Sequence, residues 1–228
     1  MISEIIGKKK KIESYYDEWH KLHGIGAWRE EGAYKYFIDI LPYRNDAKLL
    51  DVGCGTGYLL KWASKKGYNV YGIDISYEAL EITRKNVPSA KLYQMNAERL
   101  ELPLGYFDFV TSIGVIEHFV NIEEGLRHIR QVAKADALFL LVMPNLNYIG
   151  WKNKVRKGTH QADINEQPGF VALKIYKDPF IWKKVDIFGD LRPSRVLKRL
   201  LYKIYMYLLP LRHTYQFVFL CRKATEKV

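Results

Sequence analysis

A chain of 228 residues with 48% hydrophobic content is long enough to bury one sizeable core, so a single domain over residues 1–228 is expected. Two cysteines, Cys54 and Cys221, and no Cys/His cluster at zinc spacing exclude a disulfide framework and a structural metal, which suits a reducing cytoplasm. The net charge of +11 sits in the last third: residues 151–228 carry 17 Lys and Arg against 6 Asp and Glu, whereas residues 1–150 balance at 19 of each.

That surplus points the last third toward an anionic membrane face, a nucleic acid, an anionic small substrate or plain solvent. The opening "MISEIIGKKKKIESYYDEW" has no signal-peptide apolar core, and the longest apolar run, "ALFLLVMP", is too short to span a bilayer. A soluble protein is expected. Nothing in the pattern sets an oligomeric state.

The first 41 residues are rich in aromatics, and Trp28 to Leu41 reads as an amphipathic helix. From Lys48 short apolar strands alternate with amphipathic helices, which predicts an α/β fold with a parallel sheet and helices on both faces. "AKLLDVG" is the first strand, followed by a helix from Thr56 to Lys66 that stops at Gly67. "NVYGIDI" is the second, leading to a helix opened by Ser76, with Glu78 in its first turn, that ends near Asn86 ahead of Pro88. "AKLYQMN" and "FDFVTSIGV" are the third and fourth strands. A helix capped by Asn121, with Glu124 completing a capping box, precedes the buried fifth strand "ALFLLVMPN". Residues 42–145 thus form an alternating core.

Beyond Asn145 the rhythm changes. Residues 147–169 read as a long basic surface excursion. "KKVDIFGD" is a plausible strand, Ser194 to Leu209 an amphipathic helix with a basic face, and "TYQFVFLCRK" a closing strand.

The stretch "LLDVGCGTGYLL" places Gly53, Gly55 and Gly57 in the first strand-to-helix turn, the usual ligand contact of an open parallel sheet. The spacing is G-x-G-x-G. A dinucleotide fingerprint would need glycine where Tyr58 stands, and no Gly-Lys-Ser/Thr follows, which disfavours NAD and a Walker phosphate loop. Asp74 ends the second strand 21 residues after Gly53, where a carboxylate can accept from both hydroxyls of a ribose. Asn96, followed by Ala97, ends the third strand, where a side-chain amide and a backbone N–H can read an adenine edge. The ordered set predicts an adenosine-bearing ligand.

With these motifs, and with "VYGIDIS", "MNAERLELP", "FDFVTSIGVIEHF" and "LFLLVMPN", the chain resembles the class I S-adenosylmethionine-dependent methyltransferases from about Leu49 to Asn145. The resemblance implies a Rossmann-like, seven-stranded, mostly parallel sheet whose last strand is antiparallel, with "VDIFGD" and "TYQFVFLCRK" as the closing pair. It implies S-adenosyl-L-methionine as cofactor and S-adenosyl-L-homocysteine as product. Asp51, Gly53, Cys54, Gly55 and Gly57 would surround the methionine part. Asp74 and Ile75 would hold the ribose and flank the adenine, Asn96 and Ala97 would meet the adenine edge, and Ile113 and Gly114 would line the sulfonium side. Many relatives fold an N-terminal segment over the cofactor as a lid; Tyr15, Tyr16, His20 and Trp28 are the candidates here, although aromatics at helical spacing also suit an ordinary core.

Methyl transfer needs alignment, desolvation and, for a hydroxyl nucleophile, a base. Glu117 and His118 in "IEHF" follow the fourth strand, and His118 is the candidate base; a pocket-lining role is the alternative. "IEHF" also resembles the E-x-x-E-H metal site of small-RNA 2′-O-methyltransferases and some ubiquinone-pathway O-methyltransferases. Gly114 replaces the first acid, so no metal is expected. The fourth strand lacks the Asn/Asp-Pro-Pro-aromatic ending of exocyclic-nitrogen methyltransferases. Asn145, in a Pro-Asn turn, is expected on the substrate side, and His160 lies in the basic excursion within reach of the cleft or in solvent.

The expected activity is O-methylation of a small-molecule, sugar or lipid-linked acceptor. An RNA substrate held by the basic third is the alternative, and a non-catalytic cofactor-binding protein ranks below both. Ser194 to Leu209 would give a cytoplasmic protein a peripheral anionic-membrane contact, unless that helix simply packs on its own sheet.

Overall fold

The structure, a computed structural model, describes residues 13–18, 21, 31–145, 169–177 and 216–224. Seven strands form one sheet: β1 (Lys48–Val52), β2 (Asn69–Asp74), β3 (Lys91–Gln94), β4 (Phe107–Ile113), β5 (Ala133–Pro144), β6 (Phe170–Lys177) and β7 (Gln216–Lys223). Their order is β3-β2-β1-β4-β5-β7-β6. The first five are parallel, and β7 runs antiparallel to both neighbours, β5 and β6. Among the described residues, besides a helical segment over residues 13–18, the helices are α1 (Glu31–Ile40), α2 (Tyr58–Lys65), α3 (Tyr77–Asn86) and α4 (Ile122–Val132).

Period-two alternation sorts the strand side chains between two cores. Leu49, Val70, Leu140, Val142 and Val218 pack with Phe37, Leu60 and Leu80 from α1, α2 and α3. Leu50, Val52, Ile73, Phe139, Leu141 and Phe219 pack with Leu126, Ile129 and Val132 of α4 on the other face. Covering both faces removes water from every residue of β4 but its last, and each large side chain so buried contributes on the order of 2 kcal/mol.

Local signals set the helix ends. Gly67, at φ 90°, follows α2, and Lys66 Nζ donates to the carbonyls of Ile38 and Leu41 at 2.7 and 2.6 Å, which satisfies the end of α1. Ser76 caps α3 by accepting from Ala79 N–H at 3.1 Å. Asn121 caps α4 by accepting from Glu124 N–H, yet its own N–H donates to Glu98 at 2.8 Å. The capping box is therefore completed by a loop 23 residues upstream and not by Glu124.

The closing pair needs one correction. β7 is the expected final strand, but the seat beside it belongs to Phe170–Lys177, just past the basic excursion, a stretch to which the sequence pattern assigned no element. "VDIFGD" lies outside the described residues. β6 is an edge strand in which Val171 and Leu173 are exposed and Lys174 interrupts the apolar run "FVAL", so it is less completely buried than the central strands.

Candidate functional site

Strand order reverses between β1 and β4, which opens a crevice at the carboxyl ends of these two strands. Gly53 to Gly57 leave β1 on one side of it, and Gly114 to His118 leave β4 on the other. Asp74, Asn96 and Asn145 end β2, the β3 connection and β5 on the same sheet edge.

Gly53, Gly55 and Gly57 all adopt left-handed backbone, at φ 74°, 52° and 81°. Their surroundings differ. A Cβ at Gly53 would lie 2.3 Å from Val115 Cγ2, and one at Gly57 would lie 2.7 Å from Thr83 Cγ2, whereas a Cβ at Gly55 would meet nothing within 4 Å. The outer glycines fit the loop against its own scaffold, and the middle one faces open space.

The loop is held from beneath and behind. Gly53 and Cys54 N–H both donate to Ile73 O at 2.9 Å. Thr83 Oγ1 donates to Gly55 O at 2.7 Å and Asn86 Nδ2 to Thr56 O at 3.0 Å, so one face of α3 grips the loop carbonyls. Asp74 completes the frame: Oδ2 accepts from Gly55 N–H at 2.8 Å and Oδ1 from Ser76 N–H at 2.9 Å.

Asp51 is buried in β1, where Thr111 Oγ1 donates to its Oδ1 at 2.7 Å. Burial pushes its carboxyl up to about 7; the Thr111 hydroxyl opposes that rise, and neighbouring Asp74 adds to it. Because the folded value stands above the ordinary carboxylate value of about 4, the protonated group favours folding below that value, and this contribution is lost as pH rises through about 7. Asparagine keeps the acceptor for Thr111 and does not ionise. The stability of Asp51→Asn relative to wild type is therefore expected to climb between about pH 4 and pH 7 and then level off, by roughly 5 °C in ligand-free thermal unfolding. A pH-independent difference would remove the ionisable burial from the account. Cys54 is buried nearby, and burial together with Asp74 and Asp51 holds its thiol well above the ordinary range, which makes it a poor nucleophile.

Asn96, half-buried with Ala97, forms a turn in which its Oδ1 accepts from Glu98 N–H at 2.8 Å. Ile75 O accepts from Gln94 Nε2 at 3.1 Å. Beyond half-buried Ile113, Gly114 has φ 71° and donates to Val142 O at 3.1 Å, and a 3-10 turn follows at Ile116–His118. Glu117 is buried in that turn and His118 is exposed. Asn145 is buried at the end of β5. Among the described residues no group of three or more His, Cys, Asp or Glu is placed to hold a metal, and no helix is long and apolar enough to cross a membrane.

Of the lid candidates, Tyr15 and Tyr16 are in edge-to-face contact at 5.4 Å within a helical segment over residues 13–18, and Tyr15 is 54% exposed. His20, Trp28, His160 and the helix read over Ser194 to Leu209 lie outside the described residues. Several residues that build the site gave no sequence signal: Thr111 under Asp51, Thr83 and Asn86 behind the loop, Val115 against Gly53, and Asp17, whose carboxylate accepts from Ser76 Oγ at 2.6 Å.

Comparison with known proteins agrees with this architecture. A family profile described as a methyltransferase domain matches residues 50–141. A ubiquinone biosynthesis O-methyltransferase of Yersinia enterocolitica is 30% identical over 178 residues, which cover 67% of this chain and 70% of that protein. Among solved structures, a chain in the complex between the Haloferax volcanii Trm112 methyltransferase activator and a methyltransferase aligns with a TM-score of 0.68 at 14% identity, over 96% of this chain and 99% of that one. A TehB-like S-adenosylmethionine-dependent methyltransferase of Corynebacterium glutamicum gives 0.60 at 19% identity, over 93% and 97%. Seven strands in this order, a glycine loop at the switch point and a relative matched over most of its length lead to one assignment: the chain belongs to the class I S-adenosylmethionine-dependent methyltransferase family.

Proposed function

We propose that this methyltransferase acts on a hydroxyl of a small-molecule or lipid-linked acceptor, with His118 as general base. The observation that supports the reading is the 3-10 turn at Ile116–His118, which follows closely on β4 and in which His118 is exposed. The O-methyltransferase relative supports the same acceptor class.

The residues present fit the family's cofactor. Open space over Gly55 admits a ligand against bare backbone, and Asp74, its oxygens aimed by two backbone N–H groups, suits a ribose diol. Asp51, Gly53, Cys54, Gly55 and Gly57 would hold the methionine part, Asp74 and Ile75 the ribose, Asn96 and Ala97 the adenine edge, and Ile113 and Gly114 the sulfonium side. When bound, S-adenosylmethionine supplies a methyl group activated by its sulfonium charge. His118 would take the acceptor hydroxyl's proton, and Asn145 would shape the acceptor side. For a lipid-linked acceptor, the basic stretch from Ser194 to Leu209 would bring the enzyme to an anionic surface.

Transfer of label from methyl-labelled S-adenosylmethionine to catechols, phenols, lipid-linked sugars and bulk transfer RNA tests the proposal. The expected result is labelling of a hydroxyl in the first three, with His118→Ala lowering kcat about a hundredfold and leaving S-adenosylhomocysteine affinity unchanged. Label confined to RNA, or an undiminished His118→Ala rate, would overturn it.

A further inference from the structure

Residues 13–18 and Lys21 reach the sheet edge through polar contacts that converge on one strip, Asp74 to Glu78. Asp17 Oδ1 accepts from Ser76 Oγ at 2.6 Å and from Glu78 N–H at 3.4 Å. Lys21 Nζ lies 3.2 Å from Glu78 Oε1. Glu13 Oε1 accepts from Gln94 Nε2 at 3.0 Å, and the same Gln94 nitrogen donates to Ile75 O. These partners stand 57 to 81 residues apart in sequence, so the segment is tied to this strip by tertiary contacts.

The strip is also the frame of the ribose acid. Ser76 donates its N–H to Asp74 and its hydroxyl to Asp17, so two carboxylates, one from the sheet and one from the N-terminal segment, meet at a single residue. Asp17 in addition places a negative charge at the start of α3, where helix N–H groups favour it. We infer that Asp17 is a positioning residue that latches the N-terminal segment over the adenosine end of the cofactor and sets how long the cofactor stays bound. The inference rests on the cofactor reading of this cleft. It moves the lid function from the aromatics Tyr15 and Tyr16 to the carboxylate between them and Lys21.

The contact divides cleanly from the fold. Ser76 Oγ caps α3 by accepting from Ala79 N–H, and that bond survives when Asp17 is replaced. Loss of Asp17 should therefore release the segment without melting the helix.

The test is stopped-flow displacement of S-adenosylhomocysteine from wild type, Asp17→Asn and Asp17→Glu, with thermal unfolding of each ligand-free protein. Asparagine removes the charge from the bond to Ser76, and a charge-assisted hydrogen bond lost at a closed lid shows in the dissociation rate. Asp17→Asn is expected to release the ligand about tenfold faster, with association changed less than about threefold and the unfolding temperature lowered by only about 1–3 °C through the lost charge at the start of α3, and Asp17→Glu is expected to restore part of the slow release. Release at the wild-type rate from Asp17→Asn would overturn the latch and leave the cofactor reading intact. A shift in unfolding temperature with no change in release would reduce Asp17 to a structural contact. Failure of the wild-type chain to bind S-adenosylhomocysteine would overturn the cofactor reading and the latch together.

Discussion

Asp74→Ala is expected to weaken S-adenosylmethionine binding at least about a hundredfold, because the proposed reading gives the carboxylate that holds the loop the ribose as well. Gly55 N–H and Ser76 N–H each lose their acceptor, at 2.8 and 2.9 Å in the wild type, so the glycine turn loses its tie to β2 at the same time as the ribose loses its partner. Leaving two backbone donors unsatisfied should also cost about 1–3 kcal/mol of stability. Asp74→Asn is the discriminating control. Its amide keeps one acceptor oxygen and sets an NH2 group against the other N–H, so both affinity and stability should fall between wild type and alanine. Calorimetric titration with S-adenosylmethionine and S-adenosylhomocysteine, beside thermal unfolding of each variant, measures both. Wild-type affinity in Asp74→Ala would remove the ribose from Asp74 altogether.

The difference between what the residues announced and what they did follows from range. Ser76 and Asn121 were legible as caps because a cap bonds three residues ahead. The parallel core was legible because two-sided burial writes continuous apolar runs such as "LFLLVMP". Edge strand β6 was not, since it follows directly on the basic excursion, and Lys174 interrupts an apolar run of which only Phe170 is fully buried. The partner of Asp51 is Thr111, 60 residues on, and the partner of Asn121 N–H is Glu98; neither pairing leaves a local pattern. The N-terminal segment shows the same limit. Its aromatics drew attention, yet the atoms that tie it to the strip are the carboxylates of Glu13 and Asp17 and the ammonium of Lys21.

The three glycines looked equivalent as a motif and are not equivalent in space, and this sets the second large effect. Gly53→Ala meets two penalties together: φ at 74°, which costs an L residue about 1–2 kcal/mol, and a Cβ 2.3 Å from Val115 Cγ2, an overlap that costs roughly another 1–3. The backbone has little freedom to yield, because Gly53 N–H and Cys54 N–H share Ile73 O, so the strain passes to Val115. Val115 is β-branched, stiff about χ1, and sits between Gly114 and the turn that carries Glu117 and His118. Gly53→Ala should therefore lower stability by roughly 2–5 kcal/mol and displace the candidate base as well. Adding Val115→Ala removes the Cγ contacts at 2.3 and 3.1 Å, leaves a tight Cβ contact at 3.2 Å and keeps the dihedral cost, so the double variant should recover most of the second part and none of the first. Gly55→Ala is the counterpart: with nothing within 4 Å of its Cβ it should lose only the backbone part, about 1–2 kcal/mol, while S-adenosylhomocysteine affinity falls much further. Unfolding and titration of the three variants separate packing from ligand space. If Gly55→Ala bound as well as it folded, the space above that glycine would not be the cofactor's, whereas a selective loss of binding would place the ligand against the loop's bare middle.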